Sequence, residues 1–320
     1  MNRNAFNNII VLTFILGLFL ACGNKPKNTK TEQEYQKAAR YFVADESFSP
    51  ILNEALDVFR YQHVLDTLEA QYTNEQEAVK KLMRLETWLA FTTRSLTAKE
   101  QQNLKDRQFV PRVIPIAYDG LAIIVNNSNP DTCITVNDFK RILRGDVSRW
   151  SDLYPGSKLG DIDVVFDNPL SSTVRWCVDS LLDGKEFKAP NIGAVKSSVA
   201  VIDYVEKHNN SLGIIGSNWI NDSRDTTNVT FKKNITVMKV SRLDSATAYN
   251  SWRPYQYYIY NGNYPLIRTI YAILNEPRNG LPSGFAHFCR LPKGQLLIQK
   301  SGLLPYQAGV NVRTVFVNNQ

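Results

Sequence analysis

Histidine and cysteine are scarce in this chain, three and four residues of 320. The histidines, His63, His208 and His287, stand far apart without metal-ligand spacing, so neither a metal site nor another cofactor is expected. Glycine and proline number 16 and 14, too few for a fibrous or low-complexity protein. No run of five basic residues occurs, although 37 Lys and Arg against 30 Asp and Glu give a formal charge of +7. So dispersed an excess argues against nucleic acid and leaves a membrane surface or a small anionic ligand as its counterpart. What the chain has in quantity is apolar surface. It is 43% hydrophobic, with 15 Phe, 15 Tyr and 5 Trp, which excludes disorder and implies a large buried core. The length suits one large domain or two ordinary ones.

The apolar run over residues 9–21 follows Arg3 and is too short to span a bilayer; it has the length of a signal-peptide core. It ends at Phe19-Leu20-Ala21-Cys22-Gly23, which resembles a bacterial lipobox, with Phe19 where leucine is usual. That resemblance implies removal of residues 1–21 and a lipid on Cys22 that anchors the chain to a membrane at the cell envelope, on a periplasmic or extracellular face. An ordinary cleaved signal with an incidental Cys22 is the alternative. Residues 22–38 are polar over their first half, contain Pro26 and read as a solvated tether. Cys133, Cys177 and Cys289 remain, an odd number that cannot all pair, and isolated thiols are favoured over a Cys133–Cys177 bridge.

Beyond Arg40 short apolar runs alternate with helical patterns. Residues 41–44, 68–72, 88–92 and 113–125 read as strands, the last being the longest extended segment. Ser49-Pro50 reads as a cap and first helical position ahead of Ile51, Leu52, Ala55, Leu56 and Phe59, which share one helical face. Asn74 with Glu77 opens a second helix, and Thr97 with Glu100 has capping-box spacing. Thr135 starts a helix that ends at Gly145. Residues 162–166 and 212–215 read as strands, with helices after Ser171-Ser172-Thr173 and along Val199, Ile202 and Val205. This alternation predicts an α/β fold with largely parallel sheets, and ligands in such sheets bind where strand ends lead into helix N-termini.

Several segments together resemble the substrate-binding proteins of bacterial ABC importers, specifically the phosphate-binding PstS type. They are Ala44-Asp45-Glu46-Ser47-Phe48-Ser49-Pro50, Thr92-Thr93-Arg94-Ser95-Leu96 ahead of Glu100, residues 114–126, and residues 135–150 with Phe139, Ile142, Gly145 and Trp150. Residues 164–173, Tyr264-Pro265-Leu266, Gly294-Gln295 and Gly302-Leu303-Leu304-Pro305 complete the set, which spans about residues 39–310. The resemblance implies a two-lobed, type II periplasmic-binding-protein architecture of the Venus-flytrap kind, with mixed sheets flanked by helices. Residues 39–126 and 250–320 would form one lobe and 127–249 the other. It also implies a monomeric binding protein, not an enzyme, that closes on inorganic phosphate and delivers it to an ABC permease and ATPase.

The ligand set implied is Ser47, Thr92, Thr93, Arg94, Asp167, Ser171, Ser172 and Thr173. Hydroxyls ahead of a helix donate hydrogen bonds, and the helix start adds free N–H groups and a partial positive field, which is the chemistry an oxyanion needs. A plain helix cap explains Ser171 equally well without a ligand. Arg94 has two readings, a fork for the anion or a partner for Glu100. Three positions depart from the family pattern: Ser172 replaces the glycine of S-G-T, Asp167 stands where many members carry arginine, and Arg94 stands where some members place an Asp that accepts the proton of hydrogen phosphate. An Asp beside an anion repels unless the ligand donates a proton, so Asp167, or else Asp45 or Glu46, is expected to accept one from a protonated phosphate. The alternatives are a different oxyanion or organic phosphate as cargo, or a sensing or adhesion lipoprotein of the same fold. An enzyme using Ser171 or Ser172 with His208 lacks a G-x-S-x-G elbow and clustered histidines.

Overall fold

Apolar runs of four to fifteen residues can bury both faces only inside a sheet covered by helices. The computed structural model describes residues 29–63, 67–220 and 235–307, so the signal segment and Cys22 lie outside the described residues. The chain divides into two units after Lys37. Instead of a bare tether, the polar segment is helical from Thr29. In α1 (Thr29–Ala39), Glu32 lies in the first turn, Lys37 in the last, and Gln36 donates to Glu32 one turn back at 3.0 Å.

The larger unit runs through β1 (Tyr41–Asp45), α2 (Ser49–Gln62), β2 (Glu69–Thr73), α3 (Glu75–Met83), β3 (Leu89–Thr92), α4 (Ala98–Asp106) and the fifteen-residue β4 (Arg112–Asn126). There follow β5 (Cys133–Thr135), α5 (Val136–Arg144), α6 (Trp150–Leu153), β6 (Asp163–Phe166), α7 (Ser172–Leu181), β7 (Ile192–Ala194), α8 (Ser198–Lys207) and β8 (Ser211–Gly216). The described chain ends with β9 (Ile235–Val237), β10 (Lys239–Ser241), α9 (Gln256–Tyr260), β11 (Ile267–Leu274), α10 (Leu281–Arg290), α11 (Pro292–Lys300) and β12 (Leu304–Pro305).

Helix starts follow local chemistry. Asn74 accepts from the Glu77 N–H at 2.9 Å, Thr97 and Glu100 close a capping box, and Thr135 accepts from the Asp138 N–H at 2.8 Å. Gly145 ends α5 in the left-handed conformation at φ 80°. Ser49 is not a cap; it is the first residue of α2, behind a single 3-10 turn (Glu46–Phe48) that Asp45 caps through the Ser47 N–H.

The expectation of largely parallel sheets needs correction at the centre. The main sheet has the order β2-β1-β3-β11-β4-β8-β6-β7, with β9 and β12 also on β4. Pairing is parallel at both ends, among β1, β2 and β3 and among β6, β7 and β8, but antiparallel wherever β4 or β11 takes part. The reason is the return of β11 from the carboxyl-terminal region to lie between β3 and β4. The first part of β4 pairs with β11 and its second part with β8, so one strand runs through both halves of the sheet. Two main cores flank it. One centres on Phe42, Phe91 and Phe285, with Phe42 and Phe285 stacked at 5.0 Å; the other centres on Phe139, Trp150 and Phe166. Each fully buried side chain of this kind contributes about 1.5–3 kcal/mol.

Candidate oxyanion site

The ends of β1 and β6 meet between the two halves of the sheet, each leading into a helical turn. Ser47, from the turn after β1, and Ser172, the first residue of α7, are fully buried with hydroxyls 3.3 Å apart. Ser171 caps α7 and donates to Asp167 at 2.7 Å; Thr173 donates to the same carboxylate oxygen. Five of the expected residues, Ser47, Asp167, Ser171, Ser172 and Thr173, thus form one buried cluster.

The other three are placed differently. Arg94 forks onto Glu100 with two contacts of 2.8 Å, so its guanidinium is held by a carboxylate six residues away and not by the serine cluster. Thr92 donates to the Arg94 carbonyl at 2.8 Å. Thr93 offers both its N–H and its hydroxyl to Glu75, at 2.6 and 2.9 Å, and accepts from Arg175 at 2.7 Å. His208 stacks on Tyr204 at 3.9 Å and accompanies neither serine.

The cation of the cluster is Arg268 on β11, a residue that sequence reasoning missed. Its guanidinium donates to Ser172 Oγ at 2.7 Å, to Ser47 Oγ at 3.2 Å and to Asp119 at 2.8 Å, above the ring of Phe48. Asp119 and Arg268 are register partners on β4 and β11, and both side chains are fully buried. Asp119 also accepts the N–H and hydroxyl of Ser217 at 2.9 and 2.7 Å. A signal for both residues was present: each is a lone charge inside an apolar strand, and a buried charge requires a partner.

Asp45 completes the arrangement. One of its oxygens accepts the N–H and hydroxyl of Ser47 at 3.0 and 2.6 Å, and the other accepts the Ser172 N–H at 2.9 Å. Its carboxylate therefore takes donors of the kind an oxyanion would use at a helix start. Burial, together with the Asp167 and Glu75 charges, pushes the Asp45 carboxyl above its ordinary range, against the Ser47 hydrogen bond and Arg268. Burial likewise pushes Asp167 up, opposed by the hydroxyls of Thr173 and Ser171. Asn218 and Trp219 hold the Ser47 carbonyl at 2.8 and 3.0 Å. Among the described residues no group of three or more His, Cys, Asp or Glu is arranged to hold a metal, and Cys133, Cys177 and Cys289 are free thiols.

A mixed sheet whose two halves share β4, with hydroxyls, helix N–H groups and one guanidinium buried between them, is the layout of a binding-protein fold. The chain belongs to the PBP superfamily, whose domain matches residues 33–290. It is 24% identical over 224 residues to the phosphate-binding protein PstS of Pseudomonas aeruginosa, covering 65% of this chain and 64% of that protein, less than two thirds of the relative's length. The PstS of Borreliella burgdorferi is 23% identical over 307 residues, 92% of this chain and 98% of the relative. Among solved structures, a putative phosphate ABC transporter substrate-binding protein with bound phosphate from Clostridium perfringens aligns with a TM-score of 0.68 at 20% identity, over 83% of this chain and 99% of that one. An ABC-type phosphate transport receptor from Vibrio cholerae aligns with a TM-score of 0.61 at 21% identity over the same shares. These structural likenesses establish the fold, a two-lobed periplasmic-binding-protein fold with mixed sheets flanked by helices. Among the described residues no helix is long and apolar enough to cross a membrane.

Proposed function

We propose that the chain captures inorganic phosphate by closing two lobes around it and delivers it to an ABC permease and ATPase, held at the cell envelope by lipid on Cys22. One lobe comprises residues 39–126 and 250–320, the other 127–249, and the protein acts as a monomer. The observation that carries this reading is the reach of Arg268 to both serines, Ser47 from one loop and Ser172 from another. A guanidinium, two hydroxyls and the first N–H groups of α7 make a donor set suited to a tetrahedral oxyanion. Arg268 supplies from β11 the positive charge that Asp167 does not. Thr92, Thr93 and Arg94 support the third loop in this reading and do not touch the anion.

The carboxylates Asp45 and Asp167 favour a ligand that carries a proton, because an acceptor beside an oxyanion repels a fully ionised one. A second reading, transport of another protonated oxyanion or an organic phosphate, rests on the same two carboxylates. Calorimetry on the purified mature protein with phosphate, sulfate, phosphonates and organic phosphates tests both. Phosphate binding with weak sulfate binding, and loss of that preference in Asp167→Asn, is the expected result. Sulfate bound as tightly as phosphate, or no effect of Asp167→Asn on the preference, counts against the proton-acceptor role.

A further inference from the structure

Glu75 is the first residue of α3 and its side chain is only 2% exposed, an unusual place for a carboxylate on a helix start. One of its oxygens accepts the N–H and hydroxyl of Thr93, at the end of β3; the other accepts from Arg175 Nε, on α7. Arg175 also donates to Thr93 Oγ1 at 2.7 Å and to Asp179, one turn along its own helix, at 2.7 Å. Beside this pair the Gln76 N–H reaches the Leu170 carbonyl at 3.5 Å. The first turn of α3, in one half of the sheet, is therefore fastened to the first turn of α7, in the other half. Arg175 lies three positions after Ser172, whose N–H and hydroxyl belong to the oxyanion cluster.

We infer that Glu75 and Arg175 form a clasp that holds the amino-terminal end of α7 in place and favours closure whether or not a ligand is present. The inference rests on the anion-capture reading for its effect on affinity, but the clasp itself concerns the protein alone. A ligand's apparent affinity scales with the fraction of molecules in the competent state, so a clasp that raises that fraction tightens every ligand by the same factor. Glu75 and Arg175 are accordingly positioning residues. They act on release, because the clasp must open before the anion leaves, and they carry no preference among anions.

The test uses the full mature chain with Glu75→Gln, Arg175→Lys and Arg175→Met, and the Glu75→Gln/Arg175→Met double variant. Inorganic phosphate and sulfate serve as ligands in calorimetry and stopped-flow release measurements, with small-angle scattering on the unliganded proteins. The expected result is phosphate release faster by roughly tenfold in each single variant and an unchanged phosphate-to-sulfate ratio. The double variant should be no worse than the poorer single one, and the unliganded variants should have larger scattering dimensions than the parent. Arg175→Lys keeps the charge and loses the fork, so it should fall between the parent and Arg175→Met. Unchanged release together with unchanged scattering, additive effects in the double variant, or a shifted anion ratio would each overturn the clasp. If the parent binds no phosphate, the functional reading fails, and the scattering comparison still decides the clasp.

Discussion

Asp45 and Glu46 are neighbours in the chain, yet their carboxylates accept the first N–H groups of two different helices: Asp45 from Ser172 on α7 at 2.9 Å, Glu46 from Ser198 on α8 at 3.1 Å. Ser198 adds its hydroxyl to Glu46 at 2.9 Å. A carboxylate at a helix start is favoured by the free N–H groups and the positive end of the dipole. One short turn after β1 thus places an acid against the start of each of two helices.

The burial of Glu46 makes stability fall with rising pH. Burial pushes the Glu46 carboxyl up to about 7 from an ordinary 4.5, with the Ser198 hydrogen bonds pulling the other way and the Asp167 and Asp45 charges adding to the rise. A raised carboxyl contributes stability that is fully present below its unfolded value and is lost as pH rises through the folded one. The contribution should therefore fade from about pH 4.5 and be gone above about pH 7. After discounting for partial exposure it amounts to roughly 2 kcal/mol. Urea midpoints measured from acid to mildly alkaline pH should decline across this window, and Glu46→Gln should flatten the decline. A slope identical in Glu46→Gln would assign the effect elsewhere.

The Asp119–Arg268 pair should show how a buried ion pair separates stability from binding. Arg268→Met leaves Asp119 charged, buried and without its partner, which costs about 3–5 kcal/mol, and it removes the guanidinium from Ser47 and Ser172. Replacing both members with apolar or neutral groups is commonly close to neutral. The Asp119→Asn/Arg268→Met double variant is thus expected to regain most of the lost stability in denaturant unfolding while phosphate binding stays absent in calorimetry. A double variant that binds phosphate would remove Arg268 from the site.

The contrast between legible and illegible parts follows sequence distance. Asn74 with Glu77, Thr97 with Glu100, and Thr135 with Gly145 are local devices whose chemistry closes within ten residues, and each was readable from spacing alone. Ser171 to Thr173 was readable for the same reason, as a hydroxyl group ahead of a helix. Arg94 was left between two readings, and its local partner Glu100 holds it. Arg268 was missed because its contacts to Ser47 and Ser172 lie 221 and 96 residues away and depend on the return of β11 between β3 and β4. No local pattern encodes that insertion. Glu75 and Arg175, 100 residues apart, escaped notice likewise.

Asp45 offers a sharper test of anion preference than Asp167, because it already occupies the Ser172 N–H. Asp45→Asn keeps an oxygen for that N–H and removes the negative charge. Like charges brought together at a binding site cost several kcal/mol, so sulfate should bind Asp45→Asn roughly tenfold or more tightly than it binds the parent. Phosphate should change less, because a proton on the ligand offsets the repulsion. Competition calorimetry reads both, and an unaltered sulfate affinity would place the ligand away from Asp45.

Gly216, the last residue of β8, brings the backbone close to the buried pair. A Cβ there would lie 2.9 Å from Arg268 Nη2, 2.9 Å from Asn218 Nδ2 and 3.0 Å from Asp119 Oδ2. None of these atoms is free to swing aside. Arg268 is held by Ser47, Ser172 and Asp119, Asn218 by the Ser47 carbonyl, and Asp119 by Ser217. Gly216→Ala should therefore displace the guanidinium itself, costing about 1–3 kcal/mol of stability as overpacking does, with a loss of phosphate affinity. Gly193 on β7 is the matched control: nothing lies within 4 Å of its Cβ position, so Gly193→Ala should stay within about 0.5 kcal/mol and bind as the parent does. Equal phosphate affinity in the two variants would show that the guanidinium's position does not matter to capture, and Arg268 would then be a structural ion-pair partner only.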